Sequence, residues 1–203
     1  MPLKRGGYLF LAAVATIASF VSILPFFIEY EEALDLLVRL LALNGFLFLS
    51  IATIMTPFLK EVTETFGMPF LRVHHVFAAV GLALVTLHPV AYAVQTLDLA
   101  VFVPRFESWY AFWFFGGRIA LIVIYAAFVA ALVRRNIPKH WRKLHALMYV
   151  ALFFGIVHAN LSGMDFSNVW VSVVFNVLFA ASVVAFVVKR LRYRRFVKQA
   201  GKQ

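Results

Sequence analysis

The stretch VHHVFAAVGLALVTLHPVAYAV, residues 73–94, decides the fold of this chain. It is apolar and long enough to cross the hydrocarbon core of a bilayer as one helix. Even so, it carries His74 near its start and His88 in its second half. A second apolar stretch, residues 144–161, carries two more histidines. Ionisable side chains at membrane depth are costly, so these four histidines are the first candidates for a functional site.

The composition excludes a soluble domain. Of the 203 residues, 64% are hydrophobic, and the mean hydropathy is +0.90. A soluble chain of this size could not bury so much apolar surface, so its solvent must be lipid. We predict an all-α integral membrane protein in which residues 1–203 form a single domain. Apolar runs of suitable length predict a bundle of six transmembrane helices, at about residues 8–28, 36–59, 73–94, 115–133, 144–161 and 169–188.

The charged residues predict the orientation of the bundle. With the N-terminus in the cytoplasm, 16 of the 19 basic residues fall on inner segments, and seven of the nine acidic residues fall outside. This satisfies the positive-inside rule, so both termini are predicted to be cytoplasmic in a multi-pass protein of the plasma or inner cell membrane. The net charge of +10 lies at the ends of apolar runs, which argues against nucleic acid as a partner. The basic tail, Lys189 to Lys202, is expected to lie against anionic lipid.

Cysteine is absent. Its absence excludes disulfides, cysteine-ligated iron–sulfur clusters, thiolate-ligated haem and covalently attached haem. No glycine-rich fingerprint for a dinucleotide is present either. A redox cofactor in this chain would therefore depend on His, Met, Tyr or carboxylate ligands.

The four histidines of the apolar stretches pair by depth. The third and fifth predicted helices run in the same direction, so His74 and His145 both start at the inner face. His88 and His158 follow 14 and 13 residues later, about 20 Å further out at 1.5 Å per residue. Imidazole is a common axial ligand of haem iron. The pairs therefore predict two bis-histidine haem b sites, one near each face.

Two features of the spacing leave alternatives open. A separation of 13 residues leaves the two rings of the fifth helix about 140° apart on a straight helix. An irregularity is therefore expected there, with Gly155 as its candidate position. His75 competes with His74 as the inner ligand, whereas His140 lies in a basic loop and is expected to be solvated.

Other polar residues support this interpretation. Anionic propionates would need cationic partners at each face. Candidates are Arg72, Lys139 and Arg142 inside, and Arg39 and Arg118 outside. Arg118 follows a glycine pair that allows close backbone approach, although topology alone can also explain each cation. Three asparagines are expected to bridge helices rather than to react, namely Asn44, Asn160 and Asn176.

The segment WRKLHALMY, residues 141–149, resembles the W-x-x-L-H-x-L-x-Y signature of the ferric reductase-like transmembrane domain family. Leu87, His88 and Pro89, followed by Tyr92, resemble the upper ligand region of the same family. The family includes NADPH oxidases, ferric reductases and bacterial membrane subunits of the MsrQ type. Members of that last type usually lack the lower histidine of the third helix.

The resemblance implies a stand-alone transmembrane form, because family enzymes often carry a C-terminal flavin and nicotinamide module that this chain lacks. Electrons would then come from a cytoplasmic flavoprotein, which would supply the flavin, or from another donor. The predicted function is a membrane b-type cytochrome that carries electrons outward to ferric iron, oxygen or a periplasmic partner. Whether the chain is itself an enzyme stays open.

Two other functions remain open at this point. The chain could be a non-catalytic haem anchor subunit that exchanges electrons with quinone. It could also be a haem-free transporter that uses its histidines as a proton relay. The lack of Asp and Glu within the apolar stretches argues against the transporter.

Overall fold

The computed structural model describes residues 3–200, with side chains for residues 3–194. Lys202 of the predicted lipid-facing tail lies outside the described residues, as do the side chains of Arg195 and Lys198. Residues 3–200 contain helices and turns but no strand, which confirms the all-α prediction. The helices are α1 (Arg5–Ile23), α2 (Ala33–Ile54), α3 (Leu59–Phe66), α4 (Phe70–Thr96), α5 (Trp109–Phe114), α6 (Gly116–Leu132), α7 (Trp141–His145), α8 (Met148–Ser162) and α9 (Val169–Ala200).

Membrane-spanning segments dominate the part of the chain that the structure describes. Within it, five segments are long and apolar enough to cross a bilayer: Arg5–Phe27, Ala33–Ile54, Phe70–Thr96, Trp141–Ser162 and Val169–Arg194. The predicted span at residues 115–133 corresponds to α6, which is apolar but shorter, at 17 residues. The chain is therefore a multi-pass membrane protein.

The predicted second span is wrong at its C-terminal end. It was expected to continue to Leu59, but α2 ends at Ile54. Proline at position 57 lacks a backbone N–H and disfavours a helical conformation in the residue before it, so the helix stops there. The short helix α3 follows, with Val62 and Phe66 buried against the bundle.

The core of the bundle is built on a close approach of α2 and α4. A Cβ atom added to Gly45 would lie 2.9 Å from the backbone nitrogen of Val85, and one added to Gly81 would lie 2.8 Å from that of Leu49. Only glycine permits helix backbones to approach so closely. In the other half of the bundle, α8 packs chiefly against α6. The two histidine-bearing segments, α4 and α7–α8, therefore rest on different supporting helices.

The asparagines bridge helices, as the sequence predicted. The side-chain amide of Asn44 on α2 donates to Ser22 Oγ of α1 at 2.9 Å. Asn160 on α8 and Asn176 on α9 exchange side-chain hydrogen bonds of 3.3 and 3.1 Å. These contacts satisfy polar groups that lipid could not satisfy.

Candidate functional site

His74 and His145 lie next to each other at one level of the bundle. His74 is in the second turn of α4, and His145 is the last residue of α7. Their ring centroids are 6.4 Å apart, and the ring planes are inclined by 80°. We call this pair the inner tier.

His88 and His158 form a second level, the outer tier. Among the described side chains, the rings of His88 and His158 are not in direct contact, whereas those of the inner tier are. What all four histidines share is a hydrogen bond from Nδ1 to a backbone carbonyl on another segment. The acceptors are Ala52 for His74 (3.0 Å), Val38 for His88 (2.9 Å), Ala127 for His145 (3.1 Å) and Phe114 for His158 (2.6 Å).

These hydrogen bonds fix the tautomer of each ring. A carbonyl oxygen can only accept, so Nδ1 must carry the proton in every case. In the neutral imidazole, Nε2 is then unprotonated and keeps its lone pair. This is the arrangement in which histidine ligates a metal, with its other nitrogen held by a second group.

The helix packing explains why the carbonyls are within reach. Both histidines of α4 donate to α2, to which α4 is held closely by its glycine contacts. Ala52 lies in the last turn of α2, and Phe114 is the last residue of α5. The last carbonyls of a helix have no partner within that helix and are free to accept a side-chain donor.

The irregularity expected in the fifth predicted helix lies at a different position. Gly155 is inside the unbroken helix α8, so it is not the break. The break falls directly after His145, where the amide of Leu147 donates to Leu144 and that of Tyr149 donates to Ala146, at 3.0 and 3.1 Å. Such three-residue turns advance about 120° per residue rather than about 100°, which reduces the angle between the two rings.

The competing histidines differ from the four in their surroundings. His75 and His140 are exposed, whereas His74 is half-buried. The His75 ring centroid lies 5.9 Å from that of His74, with the two ring planes inclined by 53°. Within the inner tier, the structure therefore places His74, not His75, beside His145.

The inner tier fits a bis-histidine metal site in its dimensions. If one metal were held by both imidazoles, each at a metal–nitrogen distance of about 2.0 Å, the ring centroids would lie up to about 6.3 Å apart. The observed separation of 6.4 Å agrees with this value.

In the outer tier, the His158 ring lies directly against Gly117. A Cβ atom added to Gly117 would be 2.9 Å from His158 Nε2 and 2.6 Å from its Cδ2. Because glycine has no side chain, the ring edge that carries the free nitrogen can lie in a place that any other residue would fill. The donor sets of both tiers, together with this glycine cradle at the outer tier, fit haem iron.

A layer of apolar side chains separates the two tiers. Leu49, Ile124, Ala151 and Leu152 are buried together there. Leu82 and Val85, which lie between His74 and His88 on α4, pack against this group with other partly buried residues. The polar atoms of the two sites are therefore isolated from each other by apolar side chains.

Arg39 is not available as a partner for an outer anionic group, contrary to the prediction. Its side chain is 7% exposed and donates to Asp165 at 2.6 Å. It also reaches Asp35 and the carbonyls of Pro25 and Glu29. This network joins α2 to the loops that follow α1 and α8. This network could not be predicted from the sequence, because Asp165 is 126 residues away from Arg39 along the chain.

Arg118 remains at the outer tier, next to Gly117. One of its terminal nitrogens donates to the carbonyls of Ala100 and Val103, both at 2.7 Å, and its guanidinium lies over the Phe115 ring at 4.5 Å. At the inner side, Arg72, Lys139 and Arg142 are exposed. Their exposure leaves them open to anionic groups at that face.

The comparisons with known proteins identify the family of the chain. Residues 40–156, more than half of the chain, match the family described as ferric reductase like transmembrane component. The chain belongs to this family, and so it is a component of membrane electron transfer. The matched segment contains three of the four histidines and ends two residues before His158. No curated protein and no solved structure matches the chain.

Proposed function

We propose that the chain is a membrane b-type cytochrome with one haem site in each histidine tier. His74 and His145 would hold the inner haem, and His88 and His158 the outer one. The observation that carries the proposal is the common Nδ1 hydrogen bond, which leaves Nε2 of all four rings unprotonated, with a free lone pair.

Haem iron, when bound, supplies one-electron redox chemistry. The contribution of the chain is to fix each imidazole by its carbonyl partner, which also increases the basicity of Nε2. The apolar layer at Leu49, Ile124 and Leu152 excludes water between the tiers. A dry interior keeps the two sites in surroundings of low dielectric constant, where local charges act strongly.

Six spans with both termini in the cytoplasm are the topology that we propose for this single domain. The 17 residues of α6 measure about 25 Å at 1.5 Å per residue. The preceding helix α5 extends this segment toward the outer face. Counting α6 as a span places the basic connection between α6 and α7 on the same side as the N-terminus, in accord with the positive-inside rule.

The direction of electron transfer that we propose is outward. The connection between α6 and α7, together with α7 itself, presents exposed basic side chains at the inner face, at Arg134, Arg135, Lys139, Arg142 and Lys143. Such a surface suits a cytoplasmic flavoprotein of acidic character, which would donate electrons. The acceptor that we propose is ferric iron, oxygen or a periplasmic protein, with the chain in the plasma or inner cell membrane.

The test is haem quantification with a reduced-minus-oxidised spectrum on the purified full chain. We expect two b-type haems in the wild type and one in each of His88→Ala and His145→Ala. His140→Ala and His75→Ala are the controls and are expected to retain two. A preparation without haem would overturn the proposal and favour a proton relay. Two haems in His145→Ala would mean that the inner pair is assigned wrongly.

A further inference from the structure

His158 differs from the other three histidines in the number of acceptors at its Nδ1. Phe114 O lies 2.6 Å from this nitrogen, and Ser162 Oγ lies 3.0 Å from it. Among the described side chains, His74, His88 and His145 each have one such partner. The ring of His158 is therefore held by two oxygen atoms.

The positions of the protons in this group follow from the partners. The Phe114 carbonyl can only accept, so Nδ1 of His158 carries a proton. The Ser162 hydroxyl has one proton, and it donates this proton to the His158 carbonyl at 2.8 Å. The Ser162 oxygen is thus left as an acceptor, and the Nδ1 proton is shared between the serine and the carbonyl.

The local fold places the serine there. Ser162 is four residues after His158, so both lie on the same face of α8. Ser162 is the last residue of that helix, and Gly163 closes it with a hydrogen bond to Ala159. On the ring's other side, Gly117 lies against Cδ2 and Nε2. The imidazole is therefore confined between a serine and a glycine.

We propose that Ser162 is a positioning residue that lowers the reduction potential of the outer haem. This inference rests on the proposed function. Two acceptors draw the Nδ1 proton more strongly than one, which gives the ring more imidazolate character. A more electron-rich Nε2 stabilises ferric over ferrous iron, and second-shell hydrogen bonds tune metal sites in this way.

A serine that donates to the carbonyl four residues before it is common in helices. That bond alone would give Ser162 a purely local role. The contact between Ser162 Oγ and His158 Nδ1 is not explained by such a local role. A useful test must therefore separate the hydroxyl oxygen from the size of the side chain.

The experiment is a potentiometric titration of the haem-loaded full chain, followed by visible and low-temperature electron paramagnetic resonance spectra. The variants are Ser162→Ala, Ser162→Thr and Ser162→Val, the last two being similar in size. Ser167→Ala is the matched control, because Ser167 also lies near the outer face and donates only to Met164 O in the structure. The same substitutions in a His145→Ala background, expected to lack the inner haem, assign the signal to the outer one.

We expect Ser162→Ala and Ser162→Val to shift the outer-haem potential to more positive values and to change its low-spin signal. The inner-haem potential should stay unchanged, and Ser162→Thr should restore the wild-type value. If the Ser162 variants bind two haems with unchanged potentials, the proposed role of Ser162 is overturned, while the proposed haem sites are not. An equal shift at both haems would also overturn it, since it would indicate a general structural effect. A wild-type chain without haem would overturn both proposals.

Discussion

The inner and outer histidine tiers are held in different ways. In the inner tier, the Nδ1 hydrogen bonds measure 3.0 and 3.1 Å, and His145 is followed directly by a break in its helix. In the outer tier, they measure 2.9 and 2.6 Å, and a serine adds a second acceptor. The buried ion pair of Arg39 lies one residue from Val38, the acceptor for His88. The outer tier is therefore the more constrained of the two.

The largest effect that we expect is the loss of the outer haem in Gly117→Ala. The added Cβ would meet His158 at 2.6 Å, so the ring or the helix must move. Displacement of a ligand or its support typically lowers metal affinity by about 10–100-fold. Haem per chain measures this, with the inner haem as an internal reference.

Gly116→Ala is the matched control for this substitution. A Cβ at Gly116 would make only ordinary contact, with its nearest atom 3.4 Å away. We expect this variant to retain both haems. Equal haem loss in the two variants would show that the tier is not confined at Gly117.

A second prediction concerns the support that both tiers share. In Gly81→Ala the new Cβ would clash with the Leu49 backbone nitrogen at 2.8 Å and push α4 away from α2. Both α4 histidines would then lose their carbonyl partners, so we expect reduced loading of both haems. Gly155→Ala, whose nearest contact is at 3.4 Å, should leave both in place. Loss of one haem only in Gly81→Ala would contradict a shared support.

A third prediction separates buried from exposed charge at the outer end. Asp165→Asn leaves Arg39 without its main partner in a buried position, and breaking such pairs costs about 3–5 kcal/mol. The exposed pair Arg105–Glu107, at 3.5 Å, provides the comparison. Glu107→Gln should change the free energy of unfolding by less than about 1 kcal/mol. Denaturant unfolding in micelles measures the free energy of unfolding of both variants. Similar losses in the two would mean that the buried Arg39–Asp165 pair does not stabilise the fold more than an exposed pair.

The smallest effect is expected at the inner face. The Glu61 backbone N–H and the Arg192 guanidinium, which donates at 3.0 Å, hold the pKa of the exposed Glu61 carboxyl below its ordinary value. A carboxyl whose pKa is lowered on folding stabilises the protein above its unfolded pKa, and this contribution is lost as the pH falls through the folded pKa. Glu61→Gln should therefore be slightly less stable than the wild type at neutral pH.

The difference between Glu61→Gln and the wild type should disappear well below pH 4.5, the ordinary value for this group. Thermal unfolding across that pH range measures it. A stability difference that is independent of pH would contradict the assignment.

Much of the architecture could be predicted because it depends on sums over many residues. Apolar runs with basic flanks predict where the spans lie, and the histidine spacing along two helices predicts two levels of paired histidines. The break after His145 could not be predicted, since neither Ala146 nor Leu147 carries a signal such as glycine or proline. The carbonyls that accept from the histidine rings could not be predicted either, because a backbone carbonyl on a neighbouring helix has no sequence signature. Ser162 had a weak signal, its spacing of four residues from His158.

Arg39 and Asp165 have a consequence for how the protein is synthesised. They are 126 residues apart, so at ribosomal rates of about 5–20 residues per second the carboxylate emerges roughly 10 s after the guanidinium. Until then, the nascent second helix has Asp35, four residues earlier and 3.5 Å away in the finished fold, as a partner for the charge. The Arg39–Asp165 ion pair can therefore form only after the segment containing Asp165 has been synthesised.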